Sequence, residues 1–309
     1  MTEYMPEGLL IHTAENRAAL SSVASLKDAM ARQTVLEARV KLCDKSHNMH
    51  LDLGGISGVI PKNEGALGVS EGKVRDIALI SRVGKPVSFV VTALKRSEKG
   101  KIYAELSRRR AQEKCLEEYI GTLLPGDVIG ARVNHIDPFG VFCDIGCGVS
   151  ALLPIDAVSV SRIPHPGARF FNGQTIKAVV KGRDAEGRIL LTHKELLGTW
   201  EENAARFSVG ETVPGVIRSV ESYGIFVELA PNLAGLAEYD PEVKEGDAAA
   251  VFIKSILPER MKIKLVIVDT MSEKPQNDRQ IEYFFQGEHI DRFVYSPPES
   301  NRLVETIFT

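Results

Sequence analysis

One stretch of this chain is written twice, 84 residues apart, and the repetition limits what the chain can fold into more than any other feature. Gly126-Asp127-Val128-Ile129-Gly130-Ala131-Arg132-Val133, continuing through Ile136-Asp137-Pro138-Phe139-Gly140-Val141-Phe142-Cys143-Asp144-Ile145, aligns without a gap on Gly210 to Ile217 and Val220 to Leu229. A fainter copy lies upstream, in Leu36-Glu37-Ala38-Arg39-Val40 and then His47-Asn48-Met49-His50-Leu51-Asp52-Leu53. Each copy reads as two strands joined by a short polar turn, because apolar residues recur with the two-residue period of a half-buried strand. Val141, Cys143 and Ile145 share an inward face, as do Ile225, Val227 and Leu229, and Met49, Leu51 and Leu53. The opposite face carries Phe142 with Asp144, Phe226 with Glu228, and His50 with Asp52, so these side chains are expected to be exposed.

Further along, each copy closes with a second strand pair: Val87 to Leu94 with Ile102 to Leu106, Thr175 to Val180 with Ile189 to Thr192, and Ala248 to Ile253 with Ile263 to Val268. Ser97-Glu98-Lys99-Gly100 and Asp184-Ala185-Glu186-Gly187 have the composition of hairpin turns. About five short strands in each copy predict a mainly β chain of three tandem five-stranded barrels. Between the barrels, Arg108 to Ile120 and Lys194 to Phe207 change to helical spacing and predict linker helices. Residues 16–33 predict an N-terminal helix with Leu20, Val23, Leu26 and Met30 on one face. From Thr270 the chain carries six aromatics in 40 residues, too many for a disordered segment; a hairpin around Gln286-Gly287-Glu288 is expected. The domains therefore read as an arm (1–33), a basic degenerate repeat (34–118), the best-preserved repeat (119–200), a shortened acidic repeat (201–270) and an aromatic-rich extension (271–309).

A net charge of −3 is unlike a nucleic-acid binder, but the charge is uneven. Residues 34–115 hold 16 Lys and Arg against 9 Asp and Glu, whereas 199–269 hold 7 against 12. Lys95, Arg96, Lys99 and Lys101 with Arg108, Arg109 and Arg110 form a candidate basic docking patch for a polyanion. The longest apolar runs fall far short of the ~18 residues of a membrane span, and the start of the chain shows no secretory pattern. A cytoplasmic protein is expected. Cys43, Cys115, Cys143 and Cys147 form no C-x-x-C pair, so free thiols are expected, with no metal and no cofactor.

The second repeat resembles the S1-type RNA-binding domain, the OB-fold barrel repeated in the largest protein of the bacterial small ribosomal subunit. The family pattern G-x-x-x-x-G-x-V, aromatic-Gly-x-Phe and D-x-x-x-R-I-x-L-S is represented by Gly126 to Val133, Phe139-Gly140-Val141-Phe142, and Asp184 to Arg188 with Ile189-Leu190-Leu191-Thr192. Trp200-Glu201, opening the next linker, is also typical of tandem copies. The resemblance implies three OB-fold barrels. It places base-stacking aromatics at Phe139 and Phe142 and polar RNA contacts at Asp184 and Arg188, with Arg132 a further candidate. In the third repeat it implies Tyr223 and Phe226, with Lys262 at the basic position. There are departures. Pro61, Pro154 and Glu238 stand where the family commonly has histidine, the first repeat has His47 and His50 in place of aromatics, and the third has Pro258 in place of the aspartate.

Single-stranded RNA is held by stacking bases on exposed aromatics while Arg and Lys meet phosphates, and Phe139, Phe142 and Arg188 suit that chemistry. Two linked sites gain through effective concentration when both reach one strand. Gly68-Val69-Ser70-Glu71-Gly72 matches a hydrolase elbow but lacks the preceding strand, and no P-loop, dinucleotide fingerprint or H-E-x-x-H helix is present. The expectation is a non-enzyme that binds single-stranded RNA or mRNA, with the small ribosomal subunit as the partner the resemblance implies, and with no membrane or small-molecule substrate. The competing readings are a ribosome-associated protein-interaction scaffold and an RNA regulator or decay adaptor.

Overall fold

The computed structural model describes residues 4–98, 100–271 and 281–309. The first barrel is built from β1 (Leu36–Cys43), β2 (Met49–Asp52), β3 (Ser57–Ile60), β4 (Pro86–Arg96) and β5 (Ile102–Ser107). The second contains β6 (Val128–Asp137), β7 (Gly140–Gly146), β8 (Val149–Pro154), β9 (Thr175–Arg183) and β10 (Ile189–Thr192). The third contains β11 (Thr212–Glu221), β12 (Gly224–Ala230), β13 (Leu233–Ala237), β14 (Ala248–Leu257) and β15 (Lys262–Met271). All three close in the same order, first-second-third-fifth-fourth strand, with the third and fifth strands parallel. This is the expected mainly β architecture of three OB-type barrels.

The alternation explains the cores. On β1 Leu36, Ala38 and Val40 point inward beside Met49 and Leu51, and Val87, Phe89, Val91, Ala104 and Leu106 complete the packed set. The third barrel buries Ile217, Ile225, Val227, Leu233, Val251, Ile253, Ile263 and Leu265 in the same positions. By contact, the chain divides into two compact units. One holds Met1–Leu123, Gly130–Arg132 and Asp144–Ser150, and the other Leu124–Ile129, Val133–Cys143 and Ala151–Thr309.

The N-terminal helix is two helices, α1 (Ala14–Leu20) and α2 (Val23–Arg32), where one was expected. Ser22 takes extended backbone and forms a reciprocal capping box with Ser25, which starts a new helix instead of continuing the old one. Leu26 is buried against the first barrel, with Leu20 and Met30 packed beside it. A one-turn helix, α3 (Ile77–Ile80), lies in the long β3–β4 connection, and the serine of Gly68 to Gly72 sits in a run of turns there. After β5 the linker α4 (Arg108–Glu118) forms as expected.

The second linker is shorter than its sequence predicted. A 3₁₀ turn at Lys194–Leu196 is followed by Gly198 at φ +83 and a fresh capping box between Thr199 and Glu202, so only α5 (Trp200–Ala204) is helical. Trp200 is buried in the core of the third barrel. Asn232, also buried, ties the second and third barrels. Its side chain accepts from the Val160 N–H at 3.0 Å and donates to the Lys194 and Gly198 carbonyls at 2.8 Å.

The C-terminal extension does pair with itself, but not around Gln286-Gly287-Glu288. Strands β16 (Arg292–Val294) and β17 (Glu305–Ile307) pair further along. Residues 288–290 instead bond to the second barrel, where the Glu288 carbonyl accepts from the Val128 N–H at 2.8 Å and the Ile290 N–H donates to Gly126 at 2.9 Å. Those backbone groups are consumed by the barrel, so the turn has no partner strand of its own. Ile290 and Phe308 pack with Val179 and Leu196.

Candidate nucleic-acid interface

The turn between the first two strands delivers an aromatic pair in both the second and the third barrel. Phe139 lies edge-on to Phe142 with centroids 5.8 Å apart, and Tyr223 to Phe226 at 6.1 Å, with interplanar angles of 86° and 85°. Phe139 is 56% and Tyr223 68% exposed, and Phe142 and Phe226 are half-buried, so each pair offers ring surface to solvent. The small residue between them is required. A side chain on Gly140 would meet the Leu153 carbonyl at 2.6 Å, and one on Gly224 the Ala237 carbonyl at 2.6 Å.

His135 joins the pair in the second barrel. Its ring stacks on Phe142 at 6.4 Å and 22°, and its Nε2 lies 3.0 Å from Asp137. Sequence reasoning had not placed it there, although counting back across the two-residue turn finds it. The corresponding residue in the third barrel, Ser219, stands directly opposite Phe226, and in the first barrel Leu42 stands opposite His50.

Register shows what extends from these rings around each barrel. In the third, Phe226 pairs with Leu236 and Leu236 with Lys264. In the second, Leu152 pairs with Leu190. The first has His50 beside Val59 and Val59 beside Glu105, and Asp44 lies 3.0 Å from His50. His47 is likewise held by Asp76 at 3.1 Å. The first barrel thus presents no Phe or Tyr at this place and three carboxylates near its two histidines.

At the β9–β10 turn, Arg188 projects into solvent and bonds Asp184 through Nε at 2.6 Å and Glu186 through Nη2 at 2.9 Å. Desolvation pushes the Asp184 carboxyl up, but bonds from the Arg188 side chain and backbone together outweigh it and hold the group below the usual carboxylate range. Lys262 is exposed at the equivalent turn of the third barrel.

Several of the expected contact residues are engaged inside the fold instead. Arg132 is half-buried, and its guanidinium donates to the Glu7 carbonyl at 2.8 Å. Arg108 is buried, bonding the Glu7 carboxylate through Nε at 2.7 Å and Nη2 at 3.0 Å, so it leaves the basic docking patch. Arg109 is engaged by Glu64 and Glu113, and Lys95 by Glu105 at 2.7 Å. Arg96, Lys101 and Arg110 stay exposed; Lys99 lies outside the described residues.

The outward carboxylates of β7 and β12 are also buried rather than exposed. Asp144 accepts from the backbone N–H groups of Glu7, Gly146 and Gly148 at 2.8 to 3.0 Å, and burial together with Glu7 pushes its pKa up. Glu228 is clamped between Arg169 and Arg218. The strand alternation is intact at both places; a second layer of chain covers the outer face.

Among the described residues no group of three or more His, Cys, Asp or Glu side chains is arranged to hold a metal, and no helix is long and apolar enough to cross a membrane.

Residues 123–194 match the family model described as S1 RNA binding domain. The chain is 31% identical over 190 residues to the small ribosomal subunit protein bS1 of Leuconostoc lactis, covering 56% of this chain and 44% of that one. It is 27% identical over 213 residues to the bS1 homolog of Bacillus subtilis, covering 64% and 55%. A protein of Fusobacterium nucleatum named 4-hydroxy-3-methylbut-2-enyl diphosphate reductase is 26% identical over 291 residues, covering 86% of this chain and 33% of that one. The chain therefore spans about half or less of the length of these relatives. The second barrel, closed and five-stranded at the matched residues, is thus similar to the S1 RNA binding domain, and the chain resembles the bacterial small-subunit protein bS1.

Proposed function

We propose that this protein binds single-stranded RNA without catalysing a reaction, stacking bases on Phe139, Phe142 and His135 and meeting phosphates with Arg188. The third barrel adds a second, weaker site at Tyr223 and Phe226. The observation that carries the reading is the recurrence of one exposed edge-on aromatic pair at equivalent places on two barrels, where a core role would have buried the rings. The bS1 relatives extend the proposal to mRNA, to the small ribosomal subunit and to a cytoplasmic setting. The alignment with the reductase occupies one third of that relative, which leaves room for a separate catalytic part there.

A specific observation favours a different task for the first barrel. Its stacking position holds His50 and Glu105, while α3 exposes Ile77 and Ile80, with Val83 just beyond. We assign it to protein contact, the scaffold reading restricted to one barrel.

The test is fluorescence anisotropy of a labelled single-stranded RNA across a salt series, comparing the unaltered chain with a Phe142→Ala, Arg188→Ala double variant. Binding that weakens with salt and falls at least about tenfold in the variant supports the proposal. Equal binding by both, or none by the unaltered chain at low salt, refutes it.

A further inference from the structure

The fourth and fifth strands meet in the same register in all three barrels, pairing Val90 with Ser107, Val179 with Thr192 and Phe252 with Val266. In the first two barrels the pair is covered by other parts of the chain. Val90 and Ser107 are buried where α4 packs against β4, and Val179 and Thr192 where the 3₁₀ turn and the C-terminal extension close over the barrel. The third barrel is different. Phe252 is 37% and Val266 44% exposed, and the residue that replaces two valines is aromatic.

Three lysines stand beside this pair although the repeat as a whole is acidic. Lys254 lies two residues from Phe252 on β14, and Lys264 two residues from Val266 on β15, with Lys262 two further on. All three lysines are exposed and none forms an ion pair with a described residue. Two residues along a strand span about 6.6 Å, so each strand sets a cation one short step from an apolar surface. Most acidic side chains of this repeat stand elsewhere: Glu228 is buried between arginines, and Glu238, Asp240, Glu242, Glu245 and Asp247 lie in the β13–β14 connection, whereas Glu259 lies in the β14–β15 turn near Lys262. Asp269 and Glu211 flank the far edge of the pair.

We infer that the exposed β14–β15 face, with Phe252 at its centre and Lys254, Lys262 and Lys264 beside it, is a contact surface for single-stranded RNA that continues the path from Tyr223 and Phe226. The inference rests on the RNA-binding reading above and extends it from Lys262, which the S1 pattern includes, to Phe252, Lys254 and Lys264, which it does not. Continuity comes from register, since Phe226, Leu236 and Lys264 are successive neighbours across β12, β13 and β15. A bare aromatic offers a stacking platform, and lysines free of ion pairs offer phosphate contacts whose counterions are released on binding.

The experiment uses the full chain with labelled uridine oligomers of about 24 nucleotides, long enough to run beyond a single OB barrel. The expected result for a Phe252→Ser, Lys254→Gln, Lys264→Gln variant is affinity about tenfold weaker and a salt slope shallower by about 1.4, because two lysines no longer neutralise phosphates. A single Lys264→Glu variant, which leaves the apolar surface alone, should weaken binding more than Lys264→Gln. Unchanged affinity and slope in these variants, with Phe142→Ala still losing affinity, overturns the inference while leaving the RNA reading intact. No binding by the unaltered chain at low salt overturns both. If the triple variant binds RNA normally but loses a concentration-dependent self-association seen by sedimentation, the face joins copies of the chain and the inference is likewise overturned.

Discussion

The Phe139 and Phe142 rings stand almost perpendicular with their centroids 5.8 Å apart, and the same geometry recurs between Tyr223 and Phe226. The turn residue of each pair, Phe139 or Tyr223, stays more than half exposed, and open ring surface is what a stacking base requires.

Phe142→Ala should weaken single-stranded RNA binding by about fivefold to over a hundredfold, the range equivalent to ~1–3 kcal/mol per stacked base. His135→Ala should act in the same direction with a smaller effect. Filter binding or anisotropy at one fixed salt concentration measures both, and an unaffected Phe142→Ala variant would remove the second barrel from the interface.

Arg188→Ala should lower affinity and reduce the salt slope by about 0.7, as one phosphate contact on a single strand does. Glu186→Gln, which releases one of the two carboxylates now held by Arg188, should strengthen binding modestly. Parallel salt titrations of the two variants give opposite displacements on this account.

The Glu7 carboxylate sits under a buried arginine. Burial alone would raise its pKa, yet Arg108 and Arg82 outweigh that and hold it low, and the Ser88 N–H adds a bond at 3.0 Å. Removing one partner leaves the other charged and buried, so Glu7→Ala or Arg108→Ala should each cost about 3–5 kcal/mol in the cooperative unfolding of the first unit. Urea denaturation followed by circular dichroism measures the loss. Gly148 is bound to the same cluster: it takes φ +76, and a Cβ there would strike Arg108 and Glu7.

Glu37 is buried and accepts the Gly8 and Ile11 N–H groups at 2.6 and 2.7 Å, and burial raises its pKa from the ordinary 4.5 to about 7. A raised carboxyl stabilises the fold fully below pH 4.5 and loses that contribution as pH climbs through 7, because the unfolded chain ionises first. Stability of the first unit should therefore fall between about pH 4.5 and 7, by roughly 3 kcal/mol from this group. Glu37→Gln should flatten that part of the profile, read from thermal midpoints in matched buffers.

Asn232→Ala leaves the Val160 N–H and two carbonyls without their partner in a buried joint, and should cost about 1–3 kcal/mol. A differential scanning trace of the variant should show the second and third barrels separating into two transitions.

The barrels were legible in the sequence because strand burial repeats every two residues and the glycine-centred turn is copied at a constant spacing. The aromatic pairs were legible for the same reason. What the pattern could not reveal was the layer outside the barrel. Asp144 faces outward as the alternation requires, but its partner Glu7 lies 137 residues earlier, and Glu228 meets Arg169 from 59 residues away. Arg108 belonged by composition to a basic run and by tertiary position to a buried ion pair. Local periodicity carries no information about such distant covers, whereas His135 could have been found by local counting alone.

The second barrel is completed by chain that is made long after it. Its Gly126 and Val128 edge bonds to residues 288–290, and Val179 is covered by Ile290 and Phe308. During synthesis this barrel therefore emerges with an uncovered apolar strip and unpaired backbone groups at Gly126 and Val128, while the third barrel is still being added. That cover arrives only with residues 288–308, which also bring Phe293, Tyr295 and Val304 to the core of the third barrel, so the two barrels are finished together by the same late segment.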